Sequence, residues 1–118
     1  AKYGEKRVID TPLAESGIVG TAIGMAIYGM RPVAEIQFSG FEYYAYHQIE
    51  MHAGRFRNRT RGRFSVPMVL RCPSGGGIRA IEHHSESREA IYVHSPGLKV
   101  VMPSGPRTAR ALLHAAIQ

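Results

Sequence analysis

The sequence predicts an α/β domain: a parallel sheet with helices on both faces. Three observations carry this expectation. Short β-type runs alternate with helical ones along the whole chain, and the connections between them are short. One β-type run, Pro67-Met68-Val69-Leu70-Arg71-Cys72, is nearly continuously apolar, as strands buried in parallel sheets are. Each such run also leads into a Gly/Ser/Pro turn, the place where open parallel sheets bind their ligands.

Taken in order, Arg7 to Ile9 reads as a short extended piece, with Asp10-Thr11-Pro12 supplying capping groups and a helix-compatible proline. The first helix is expected from about Ala14 to Tyr28, closed by Gly29. Pro32 to Phe38 reads as a strand with Ser39-Gly40 as its exit turn, and a second helix follows from Phe41 to Arg57. Pro67 to Cys72 is the next strand, ending in the irregular loop Pro73-Ser74-Gly75-Gly76-Gly77. A short helix covers Arg88 to His94, Leu98 to Met102 forms a third strand, and Pro106 to Ile117 forms the last helix.

The 118 residues, 44% of them hydrophobic, suffice for one ordinary globular domain. Glu15 and Arg31 bracket the longest apolar stretch, which argues against a membrane span and for no membrane partner. The opening residues show no leader pattern, and the single Cys72 suits a reducing cytosol, so a cytoplasmic location is expected (the mitochondrial matrix in a eukaryote). Both ends fall within helix-like patterns, so residues 1–118 read as one domain cut from a longer chain. Fifteen basic against nine acidic residues give +6, with five arginines at alternate positions from Arg55 to Arg63. Extended, that run would present all five on one side; helical, it would scatter them. A solvated face is the plainer reading. A basic nucleic-acid-binding module is its rival, weakened because no aromatic platform repeats beside the arginines.

The candidate chemistry starts at Glu15. It opens a helical stretch with no other charge through Gly29, and a helix apolar on all sides is a buried one. Glu15 is thus expected at the rim of a dry environment that raises a carboxylate's proton affinity. The triple glycine has no GxxxxGK[ST] context, and Gly17, Gly20 and Gly24 lack G-x-G-x-x-G spacing, so they read as close-packing positions. His47 and His52, five apart, do not align on an α-helix, and zinc is not expected with one distant cysteine. One of the adjacent His83 and His84 is expected to face a cleft as an acid, base or donor. Cys72 reads as an inert buried thiol, and Glu35 as a strand carboxylate that needs a partner.

The segment Arg7-Val8-Ile9-Asp10-Thr11-Pro12-Leu13-Ala14-Glu15-Ser16-Gly17-Ile18-Val19-Gly20 resembles the β subunit of the thiamine-diphosphate-dependent decarboxylating component of 2-oxo acid dehydrogenase complexes. Arg31 to Phe38, Pro67 to Gly77, His84-Ser85 and His94 to Val101 continue the match in order across the chain. The resemblance implies the transketolase-like pyrimidine-binding domain of that subunit. It implies that Glu15 hydrogen-bonds the aminopyrimidine ring and activates the cofactor, that Phe41 stacks on the ring, and that Leu13 and Gln37 line its pocket. His84 matches a histidine at the active-site mouth that steers acyl transfer to lipoyl groups. Potassium bound by backbone carbonyls near Met68, Ala116 and Ile117 is a weaker implication.

By the same resemblance, magnesium and the diphosphate are held by an α subunit in an α2β2 assembly, which works with a lipoyl-bearing acyltransferase core on a 2-oxo acid substrate. Pyruvate, a branched-chain 2-oxo acid and acetoin all remain open. A transketolase-like or deoxysugar-phosphate synthase enzyme fits the flanking residues worse, and a degenerate paralogue that only assembles is a third reading. The chain departs from the family pattern at His47, usually acidic, and at Glu86, usually glutamine, which adds negative charge near the expected site.

Overall fold

The computed structural model describes residues 2–118. Helix α1 spans Glu15–Ile27, β1 Val33–Glu35, α2 Phe56–Arg59, β2 Val69–Arg71, α3 Glu89–Val93 and α4 Pro106–Ile117. The strands β1 and β2 pair in parallel, Val33 opposite Val69 and Glu35 opposite Arg71. The parallel α/β arrangement expected from the sequence is therefore present. Glu35 also finds the partner a strand carboxylate needs, since Arg71 Nη1 lies 3.6 Å away across the register.

The core forms where α1 packs on β1 and on the helical stretch after it. Val19, Ile23, Ile36, Ala45 and Ile49 make its buried centre, with Met68, Leu70 and Leu98 partly buried around it. Within α1 only Val19, Ala22, Ile23 and Ala26 are buried, a single stripe. Gly17, Thr21, Gly24 and Tyr28 face solvent. The helix expected to be enclosed on all sides is half covered in this chain. Its start differs too: Ala14 precedes it with no side-chain cap, so Asp10 and Thr11 do not cap it. Its end agrees with expectation, at Gly29 with φ +102°.

Three elements differ from the sequence reading. Arg7 to Ile9 is not a strand, because Arg7 and Val8 both turn back to donate to the Gly4 carbonyl (3.2 and 3.0 Å). The single helix expected from Phe41 to Arg57 is three pieces: a 3-10 stretch Ser39–Ala45, a wide π-type stretch His47–Ala53, and α2. Burial explains the first. Ser39, Glu42 and Ala45 point inward at a spacing of three, the period of a 3-10 helix. The π stretch is buried at Ile49 and Glu50 and half-buried from Met51 to Gly54, with no period to its pattern. The π stretch also brings His47 and His52 together, ring centres 4.9 Å apart, which α-helical spacing does not allow.

The third strand, Leu98 to Met102, is absent among the described residues. Leu98 folds onto the core, while Val101 and Met102 are exposed and hydrogen-bond to no neighbouring strand. Helix α4 matches the expected bounds. The Thr108 hydroxyl accepts from Gly105 N (3.0 Å) and donates to Gly105 O (2.8 Å), fixing its start. Among the described residues no helix is long and apolar enough to cross a membrane.

Candidate functional site

The segments leaving β1 and β2 are stitched together beyond the strand ends. Ile36 N donates to Arg71 O (2.9 Å) and Ser39 N to Pro73 O (3.0 Å). The Glu86 carbonyl then gathers Ser39 Oγ (2.6 Å), Gly75 N (2.8 Å) and Ser74 Oγ (3.4 Å). Gly40 N donates to His83 O (3.1 Å), an approach so close that a Cβ on Gly40 would sit 2.4 Å from the His83 backbone. Only glycine fits there.

This stitching presents the two histidines. His84 meets Phe38 and Phe41 edge-on, with ring centres at 4.7 and 5.4 Å. Its Nδ1 donates to the Glu82 carbonyl (3.0 Å), so in the neutral ring Nε2 carries the lone pair. His83 lies nearly parallel to Phe41 at 5.8 Å, so one face of the Phe41 ring is covered by imidazole. The sequence offered either His83 or His84 at a cleft, and the structure brings both rings to Phe41. The positive φ of His83, +68°, together with Arg79 and Ile81 at +59°, marks a left-handed series no local motif signalled. A β-branched residue such as Ile81 there is a genuine outlier, and such backbone strain collects at ligand-binding loops.

Leu13, Ala14, Glu15, Ser16 and Tyr44 line an open groove of about 410 Å³. Leu13 is 85% exposed in it. Ser16 Oγ donates to Tyr44 O (2.5 Å), tying the start of α1 to the turn that carries Phe41. Glu15 is half-buried and makes no hydrogen bond or ion pair among the described residues. The dry rim expected around it is not closed by this chain, because the adjoining face of α1 lies open. Gln37 is exposed, one residue past the fully buried Ile36. Met68 packs against the core, while Ala116 and Ile117 lie on the exposed last turn of α4. The Ile117 carbonyl accepts from Arg31 Nη1 (3.4 Å).

Behind Phe41 sits a cluster that sequence reasoning missed. Glu42 is 4% exposed, and its carboxyl accepts from the Cys72 thiol, with Tyr92 and Arg88 nearby. Burial pushes its pKa above the usual carboxyl range, against the lowering pull of Cys72, Tyr92 and Arg88. Burial, and then Glu42 itself, pushes both the Cys72 thiol and the Tyr92 phenol upward. Arg88 pairs with Glu86 and stacks on Tyr43 at 3.3 Å from the ring centre. A glutamate among tyrosines offers no periodic signal; the 3-10 spacing of inward residues is what would have revealed it.

The arginine run does not form a one-sided stripe. Arg57 and Arg59 lie in α2, Arg61 turns left-handed at φ +52°, Arg55 pairs with buried Glu50, and Arg59 Nη2 donates to Met51 O (2.6 Å). Among the described residues no three His, Cys, Asp or Glu side chains group to hold a metal ion.

Residues 1–118 match the family described as transketolase, pyrimidine binding domain. The chain is 63% identical over 116 residues to the pyruvate dehydrogenase E1 component subunit beta of Acholeplasma laidlawii, covering 98% of this chain and 36% of that protein. It is 53% identical over 115 residues to the 3-methyl-2-oxobutanoate dehydrogenase subunit beta of Mycobacterium tuberculosis, covering 98% and 33%. Against the 2-oxoisovalerate dehydrogenase subunit beta of Bacillus subtilis it is 51% identical over 117 residues, covering 99% and 36%. The chain thus spans about a third of the length of the curated relatives it matches.

Proposed function

From the premise that the chain belongs to the transketolase pyrimidine-binding domain family, we propose that it is the cofactor-activating domain of a 2-oxo acid dehydrogenase β subunit. The reading extends to a longer β chain that pairs with an α subunit, uses thiamine diphosphate and passes the acyl group to a lipoyl carrier. The names of the relatives support pyruvate or a branched-chain 2-oxo acid as substrate. Magnesium and the diphosphate belong to the α subunit in this reading, and potassium at the Met68, Ala116 and Ile117 carbonyls is its least supported part.

The observation that carries the proposal is Glu15 at the first turn of α1, unpartnered, in a groove with exposed Leu13 and tied through Ser16 to the Phe41 turn. These residues fit an aminopyrimidine. Leu13 offers an apolar wall beside the groove, and the unpartnered Glu15 carboxyl offers a hydrogen-bond partner to a ring nitrogen. Bound thiamine diphosphate supplies the electron sink that decarboxylating a 2-oxo acid requires. The Glu15 carboxyl is placed to hydrogen-bond the ring, an interaction that strengthens once a partner closes the groove and excludes water. His84 keeps Nε2 free as a proton acceptor at the mouth, its ring fixed by Glu82, Phe38 and Phe41.

The test is the full-length β chain assembled with its α partner and assayed on a panel of 2-oxo acids with and without the cofactor. Glu15→Gln is expected to lower kcat by at least about 100-fold, the usual scale of a lost general acid–base group. Turnover within twofold of wild type would remove Glu15 from the chemistry.

A further inference from the structure

The buried cluster behind Phe41 is not used by the reading above, and its geometry gives it a task. Glu42 directly follows Phe41 in the 3-10 stretch Ser39–Ala45, so one side chain enters the interior while the other meets the histidine face. Its donor, Cys72, lies just past the end of β2, and Tyr92 of α3 lies beside the carboxyl. One oxygen, Oε2, is buried with no partner among the described residues, and so is Nε of Arg88. We propose that Glu42 is a positioning residue: buried behind Phe41 and held by Cys72, its carboxyl fixes the turn that aims Phe41 and holds Gly40 against His83. This rests on the assignment of Phe41 to the cofactor face.

The alternatives for Glu42 are limited by its surroundings. Cys72 and Tyr92 are groups whose own ionisation the cluster suppresses, so neither acts as a nucleophile or base. The charged groups facing the carboxyl are Arg88 before α3, which favours ionisation, and Glu89 in α3, which opposes it; Tyr46 reaches only Tyr92. A protonated Glu42 accepts from Cys72 and carries no buried charge, leaving at most a neutral O–H without an acceptor. An ionised one leaves a charged oxygen without a donor, a costly state relieved by admitting water under the turn. The turn therefore loosens as pH rises, and Phe41 loosens with it.

The experiment uses the full-length β chain assembled with its α partner, in wild type, E42A and E42Q. Amide exchange of residues 38–45 is followed without cofactor, and thiamine diphosphate affinity is followed against pH. E42A is expected to speed exchange in that segment and weaken the cofactor by about tenfold or more, the scale of a misplaced positioning group. E42Q keeps an acceptor for Cys72. It restores slow exchange and abolishes the loosening on the alkaline side. Should E42A not fold, C72A, which removes the donor and leaves the carboxyl, is expected to give the same loosening in smaller measure.

Exchange and affinity within twofold of wild type in a folded E42A or C72A assembly would overturn the proposal. So would an E42Q that loosens with pH as wild type does. If wild type binds no thiamine diphosphate, the cofactor reading fails, and the exchange measurement alone still decides whether Glu42 holds the turn.

Discussion

Glu42 also governs how this chain responds to pH, and the sign follows from the direction of its shift. Its folded pKa is raised above the ordinary carboxyl value, so the folded chain binds the proton more tightly than the unfolded one. The stability this contributes is complete below the ordinary carboxyl range and is lost as pH rises through the raised folded value. Glu42→Gln, neutral at every pH, is expected to remove that loss and make the chain more stable than wild type by roughly 1–2 kcal/mol on the alkaline side, the scale of one buried unsatisfied polar group. Urea denaturation at a series of pH values checks this; parallel stability curves for the two proteins would refute it. The neighbouring thiol gives a second test. Cys72, half-buried and held up by burial and by Glu42, presents little thiolate at neutral pH. Its alkylation by iodoacetamide is expected to run at least about tenfold slower than that of a free cysteine, whose ordinary pKa is near 8.5. Equal rates would show that the cluster opens readily.

Among the elements, those whose partners are local were legible in the sequence, and those set by distant backbone were not. Helix α4 lies within its expected bounds because Pro106 and the Thr108 hydroxyl define its start locally. Strands β1 and β2 appear where apolar runs and exit turns put them, though shorter. The stretch after β1 was misread because its course is set by contacts far along the chain. Gly40 is pinned to the His83 backbone, and a Cβ on Gly54 would meet Pro96 O at 3.2 Å and Leu98 Cγ at 3.3 Å. Leu98 to Met102 has strand composition, but composition cannot supply the neighbouring strand it lacks here. Of the candidate site, Leu13 and Glu15 were legible as one segment and Phe41 with His84 as two motifs. His83 was legible only as an alternative to His84, and Glu42 was not, since its burial leaves no trace in residue type. Gly40→Ala is accordingly expected to cost about 1–3 kcal/mol, because its Cβ meets backbone that cannot step aside. Its effect should concentrate in exchange of residues 38–45 and 79–87. A loss below half a kcal/mol would mean that the two segments are not held together.

At the scale of the molecule, the chain exposes more surface than its mass warrants. The described residues expose 8888 Å² at 13.0 kDa, where a compact monomer of that mass exposes about 6,300 Å². The excess, roughly 2,600 Å², exceeds the ~800 Å² one partner contributes to a standard interface. The radius of gyration agrees, 14.4 Å against about 13.5 Å for a compact domain of this length. Much of the open area is of the wrong kind for solvent: Leu13, Tyr28, Tyr44 and the uncharged outer face of α1. A helix without charge beyond its first residue, covered along one stripe, is built to be covered along the other. Gly24 on that face separates intrinsic stability from assembly, because nothing lies within 4 Å of the Cβ it would carry. Gly24→Arg meets no obstacle within the chain and replaces a poor helix former, so the chain itself should gain about 0.5–1 kcal/mol. If the face is buried against a partner, the same arginine abolishes that association by placing an unpaired charge in a dry contact. Thermal denaturation of the variant, with sedimentation of the full-length β chain mixed with its α partner, reads both effects. A more stable chain that no longer assembles is the expected result. Assembly as tight as wild type would show that the outer face of α1 is not part of the α-subunit contact, and the closure of the Glu15 groove would then have to come from another surface.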